Sequence, residues 1–129
     1  YGWLKRFTAL CHVYLGSSLA ISPIAAAIAI EPATVLPPSP MFQPALWLLS
    51  AMVLCWVAGF DIIYACQDVE FDRREGLRSI PAKFGIAKAL WISRLLHAAA
   101  VGLTARAKCR GLRNPPGPGA GRAFASHSR

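Results

Sequence analysis

The sequence predicts an all-α membrane helix bundle, and three observations predict it. Apolar residues make up 55% of the 129-residue chain against 16% charged, with a mean hydropathy of +0.42, the wrong balance for a small water-soluble domain. Two charge-poor runs are each long enough to cross a hydrocarbon core of about 30 Å at about 1.5 Å per residue. Five of the six acids, Asp61, Asp68, Glu70, Asp72 and Glu75, fall within fifteen residues. The apolar content excludes disorder. Four cysteines without a CxxC pair exclude a disulfide scaffold and read as small packing residues.

The first helix is expected over residues 7–30, a run of 24 residues without a charge. Gly16, Ser17, Ser18, Ala20 and Ala25 to Ala27 give it the small side chains that let membrane helices approach closely, and Pro23 is placed to kink it. Prolines at 32, 37, 38, 40 and 44 then forbid a helix, so the stretch is a loop. The second helix begins at Ala45, carries apolar residues to Ala65 with one interruption at Asp61, and is expected to continue to residue 75. Gly76 is the natural stop, and Ser79 with Pro81 starts a short new helix. A third helix is expected over residues 86–105; its uncharged part, Leu95 to Ala105, is eleven residues and too short to cross alone. From Arg106 the composition turns to Arg, Gly, Pro, Ala and Ser, and residues 106–129 read as a disordered basic tail.

The tail holds six basic residues and no acid, which leaves +2 of the net charge of +8 for the first 105 residues. Lys5 and Arg6 precede the first helix, the loop after it has no Lys or Arg, and Arg73, Arg74, Arg78, Lys83 and Lys88 follow the second. The positive-inside rule therefore puts the chain start and the acidic segment in the cytoplasm of a multi-pass protein. The expected location is a bacterial inner membrane.

At about 100° per residue, Asp61, Asp68, Asp72 and Glu75 of one continuous helix share an arc of about 60°, with Tyr64 at its flank. Glu70 points away, where Arg74 is its i+4 partner. Stacked carboxylates at a membrane boundary demand a compensating cation. Hard oxygen donors without His or Cys favour Mg²⁺, which completes its shell with water and phosphate oxygens. Arg73, Arg74, Arg78 and Lys83 supply positive charge for the rest of a phosphate ester. A solvated, salt-bridged helix end explains Glu70 and Arg74 well, but not Asp61, four residues inside an apolar span.

The stretch Gly59 to Gly85, GFDIIYACQDVEFDRREGLRSIPAKFG, resembles the second aspartate-rich region of the UbiA family of membrane prenyltransferases, most of all its 4-hydroxybenzoate polyprenyltransferase branch. Asp61, Tyr64, Ala65, Asp68, Asp72, Arg78, Ser79, Phe84 and Gly85 match the family pattern in order, and LKRFTALCHVYLGSSLAISPIAA from Leu4 is similar to the preceding helix. The resemblance covers residues 1–103 and implies part of a bundle of about nine membrane helices. It implies Asp68 and Asp72 as Mg²⁺ ligands on a polyprenyl diphosphate, Asp61 lining the same cavity, and Tyr64, Arg78 and Lys83 contacting substrate. It further implies an aromatic acid acceptor and a place in ubiquinone or menaquinone biosynthesis.

The family's first aspartate-rich motif has no counterpart here, the chain opens without Met, and the tail has the bias of an out-of-frame GC-rich reading. The expectation is a truncated middle portion, inactive by itself. The competing class is a small membrane interaction or cation-transport subunit. His12 and His97 read as packing or polar contacts within apolar helices, and the four tryptophans as interfacial or core aromatics. The tail's single aromatic, Phe124, offers no stacking platform for nucleic acid, and no nucleic-acid partner is expected.

Overall fold

A computed structural model describes residues 3–38 and 43–113. Its long helices are α1 (Cys11–Ile30), α2 (Pro44–Gln67) and α5 (Ile86–Arg113); two short ones, α3 (Val69–Arg74) and α4 (Ile80–Phe84), lie between α2 and α5. No strand occurs among the described residues. Three segments, Cys11–Ile30, Pro44–Gln67 and Ile86–Cys109, are long and apolar enough to cross a membrane.

α2 is the central helix, packed against α1 and against α5. Close approaches fix both pairings as antiparallel. A Cβ at Gly16 would lie 2.6 Å from the Leu54 carbonyl oxygen and 3.3 Å from Ala58, so α1 and α2 meet backbone to backbone. A Cβ at Gly59 would lie 2.8 Å from the His97 ring of α5. The Ser93 hydroxyl donates to the Gly59 carbonyl at 2.9 Å, and the His97 ring stands edge-on to Trp56 and Phe60. Without a hydrophobic drive between helices in lipid, such close packing and hydrogen bonding hold the bundle. At one end Ile62, Ile80 and Ala89 form a buried cluster under α4. No more than 22% of any span is buried within the chain, so the outer faces, which include Leu19, Trp47 and Trp91, require an apolar surrounding.

The boundaries differ from the sequence expectation in three places. α1 starts at Cys11 rather than residue 7, because Thr8 takes the Leu10 N–H at 3.2 Å and Leu4–Arg6 forms a separate 3-10 turn. The single helix expected over 45–75 is broken at Asp68, whose φ of −101° and ψ of 14° leave the helical region. The third helix does not end at 105: residues 106–113 are helical, and Ile86–Cys109 is long enough to cross with Lys88 and Arg94 included. Ala105, Arg106, Ala107, Lys108 and Leu112 are good helix formers, and cations suit a helix C-terminus. The rest of the expected tail, 114–129, lies outside the described residues. Cys11, Cys55, Cys66 and Cys109 are all free thiols.

The two glycine contacts differ in what must yield. Gly16→Ala should lower the unfolding free energy in detergent or nanodiscs by about 1–3 kcal/mol, because its obstacle is backbone. Gly59→Ala should cost less, since the His97 ring can turn. Thermal denaturation of the two variants side by side checks the order.

Candidate functional site at the acidic end

α1 begins, α2 ends and α3 and α4 fold back at the same end of the bundle, and the chemistry-bearing residues gather there. The turn after α3 closes through two backbone bonds, from Leu77 N–H to the Asp72 carbonyl at 2.7 Å and from Gly76 N–H to the Arg73 carbonyl at 3.3 Å. This is the Schellman arrangement, and it needs the left-handed φ of 65° that Gly76 adopts. α4 then starts where the sequence places it, with the Ser79 hydroxyl accepting the Ala82 N–H at 3.3 Å and Pro81 in the first turn. Arg73, Gly76, Leu77, Arg78, Ala82 and Lys83 line a concavity of about 360 Å³. Arg78 and Lys83, both expected to meet substrate, are thus brought to one surface with Arg73.

The acids are sorted differently from the stripe expected of one straight helix. Asp72 is 1% exposed, and its two carboxylate oxygens lie 3.3 and 3.4 Å from the Lys5 ammonium. Asp61 lies in α2, two turns before the break, with one oxygen 2.6 Å from Nδ1 of the fully buried His12. Asp68 sits exposed at the break itself. The Asp72 N–H still donates to the Asp68 carbonyl at 2.8 Å, so these two remain one helical turn apart in the backbone. Glu70 and Arg74 are both exposed and form no bridge with each other among the described residues. Tyr64 is 59% exposed, near Phe60 at 6.2 Å between ring centroids.

The compensation that stacked carboxylates demand is therefore supplied from the start of the chain: Lys5 neutralises Asp72, and His12 hydrogen-bonds Asp61. Sequence reasoning used Lys5 only for topology and read His12 as a packing or polar contact without naming its partner. The missed signal was an ionisable side chain inside an apolar run, which needs a named partner at that depth, and Asp61 was the carboxylate at matching depth. The same segment is tied down again through Arg78, whose N–H donates to the Lys5 carbonyl at 2.6 Å and whose Nη1 donates to the Phe7 carbonyl at 3.2 Å.

Among the described residues no three His, Cys, Asp or Glu side chains gather as a metal site. A hard cation shared with a phosphate ligand needs only one or two carboxylates. Asp68 is exposed, and Asp72 is paired with Lys5.

Three comparisons bear on what this arrangement is. The model of the UbiA prenyltransferase family matches residues 1–114. The match runs past Leu103 and through the last turns of α5, so residues 106–113 belong to the family region rather than to a tail. The 4-hydroxybenzoate octaprenyltransferase of Saccharophagus degradans is 34% identical over 86 residues, covering 66% of this chain and 26% of that protein. That of Edwardsiella ictaluri is 37% identical over 86 residues, covering 66% and 27%. That of Francisella tularensis subsp. novicida is 31% identical over 91 residues, covering 66% and 27%. The chain spans about a quarter of the length of these curated relatives. No solved structure matches it. With three helices fit to cross a membrane and a family match over residues 1–114, the chain is an integral membrane protein and belongs to the UbiA prenyltransferase family.

Proposed function

We propose that this chain forms one wall of a prenyltransferase active site, the wall that binds the diphosphate of a polyprenyl donor. The observation that carries the reading is the concavity in which Arg73, Arg78 and Lys83 converge, one turn beyond Asp68 and Asp72. Three cations on a capped turn suit an anion with many oxygens, and the guanidinium groups offer paired donors that an ammonium does not. The names of the relatives support an octaprenyl or similar donor and 4-hydroxybenzoate or a related aromatic acid as acceptor; a place in ubiquinone or menaquinone synthesis is part of the proposal.

Prenyl transfer separates diphosphate from an allylic carbon, and the cost lies in the negative charge left on the departing group. Arg78 and Lys83, held by their turn before substrate arrives, stabilise that charge without reorganisation. Mg²⁺, when held by Asp68 and Asp72, supplies further neutralisation of the diphosphate. Asp72, which pairs with Lys5 here, would hold the ion together with Asp68, and the Lys5 ammonium would then be free to meet the same diphosphate. Asp61 and Tyr64 lie toward the membrane from this point on α2, where the acceptor and the first isoprene units would be met. The acceptor's ring attacks through carbon as the C–O bond to diphosphate breaks, and the attacked carbon then loses its proton to the departed diphosphate or to water, restoring the aromatic ring.

A cytoplasmic position for this end is supported by charge. Lys5, Arg6, Arg73, Arg74, Arg78, Lys83 and Lys88 lie there, seven against the four of Arg106, Lys108, Arg110 and Arg113 at the far end of α5. Nothing favours the cation-path alternative, since Asp61, the acid inside a span, is held by His12.

Binding of a radiolabelled prenyl diphosphate to the chain in nanodiscs tests the reading: affinity should rise with Mg²⁺ and fall about tenfold or more in Lys83→Met. Mg²⁺-independent binding unaffected by Lys83→Met would sink it. Asp68→Asn should remove the Mg²⁺ dependence while leaving thermal stability unchanged, because its side chain is exposed, whereas Glu70→Gln should bind as the parent does. Equal losses from both would show that the break at Asp68 does not select between them.

A further inference from the structure

The His12 side chain bonds to both α2 and α4 at the acidic end, and the functional reading above gives it no task. Its side chain is fully buried in the first turn of α1. Nδ1 lies 2.6 Å from the Asp61 carboxylate on α2, and Nε2 accepts the Ile80 N–H, the first of α4, at 3.4 Å. A backbone N–H only donates, so Nε2 carries the lone pair and the ring proton sits on Nδ1, directed at Asp61.

The start of α4 shows why this matters. A helix leaves its first backbone N–H groups without partners inside the helix. In α4 every one is accounted for: Ile80 donates to His12, Pro81 has none, Ala82 donates to the Ser79 hydroxyl, and Lys83 donates to the Ser79 carbonyl at 3.0 Å. Only the Ile80 bond reaches outside the turn, and it reaches through His12 to α2. Arg78 precedes Ile80 by two residues and Lys83 follows it by three.

We propose that His12 is a positioning residue for the diphosphate wall, its imidazole relaying the fixed carboxylate of Asp61 on α2 to the first N–H of α4 and so setting where Arg78 and Lys83 stand. The assignment rests on the diphosphate reading of the basic concavity. The Ile80 side chain, buried against Ile62 and Ala89, anchors α4 against sliding outward; the His12 bond fixes its rotation and depth. A leucine at 12 fills the space but offers neither donor nor acceptor. A glutamine keeps one of each.

The test uses the 129-residue chain in nanodiscs with two readouts, amide hydrogen exchange at Ile80 to Lys83 and the affinity for inorganic pyrophosphate with Mg²⁺. His12→Leu should speed exchange at Ile80 about tenfold and weaken pyrophosphate about tenfold, while His12→Gln stays within about threefold of the parent in both. A merely space-filling role predicts the reverse order, with Leu tolerated and Gln not, and that order would overturn the proposal. If the parent chain does not bind pyrophosphate, the diphosphate reading fails, and unchanged exchange at Ile80 in His12→Leu then decides against His12 separately. Should His12→Leu fail to fold, the ¹⁵N shifts of the His12 ring in the parent still decide: a proton on Nδ1 with Nε2 bare is required, and a proton on Nε2 would refute the bridge.

Discussion

A carboxylate taken out of water at the edge of a membrane must be met by a cation or a hydrogen-bond donor, and this requirement organises the acidic end of the chain. Asp72 and Asp61 are met by Lys5 and His12, 67 and 49 residues away in sequence. Removing one partner of a buried pair leaves an uncompensated charge, at a cost of about 3–5 kcal/mol. The pairs thus join the start of the chain to α2 through Asp61 and to α3 through Asp72. Arg78 adds two bonds to the carbonyls of Lys5 and Phe7, and the basic turn, the first residues and the membrane helices become one unit.

This unit divides labour among the acids and bases. Asp61 and Asp72 are paired with His12 and Lys5, whereas Asp68, at the helix break, is exposed, with Arg73, Arg78 and Lys83 beyond it. The break makes the division. A straight helix would set the acids side by side, where they repel, whereas the bend at Asp68 lets Asp72 turn inward to Lys5. The Asp72 N–H bond to the Asp68 carbonyl keeps the two acids one turn apart in the backbone. Small residues at Gly16 and Gly59 let three helices pack closely enough for these long-range partners to meet.

The first two membrane helices were legible because charge-free length is a strong signal, and the Gly76 stop and the Ser79–Pro81 start because capping is local chemistry. The end of α5 was misread: the Pro and Gly beyond residue 114 lent their character to Arg106–Arg113, although that segment holds good helix formers. The break at Asp68 was invisible, since nothing in GlnAspVal forbids a helix; long-range pairing of Asp72 favours it. The grouping of Arg73, Arg78 and Lys83 on one surface follows from their closeness in sequence. The pairing of Asp72 was not legible, because periodicity orders residues along one helix and says nothing of a lysine 67 residues away.

The dependence of the end on paired acids is tested most directly by a double-mutant cycle between Lys5 and Asp72, using Lys5→Met, Asp72→Asn and the double variant, with unfolding free energy measured in one detergent. The account predicts a favourable coupling of about 2–3 kcal/mol, the double variant being more stable than the sum of the single losses allows. Losses that add to within about 0.5 kcal/mol would show that Asp72 does not rely on Lys5, and would contradict it.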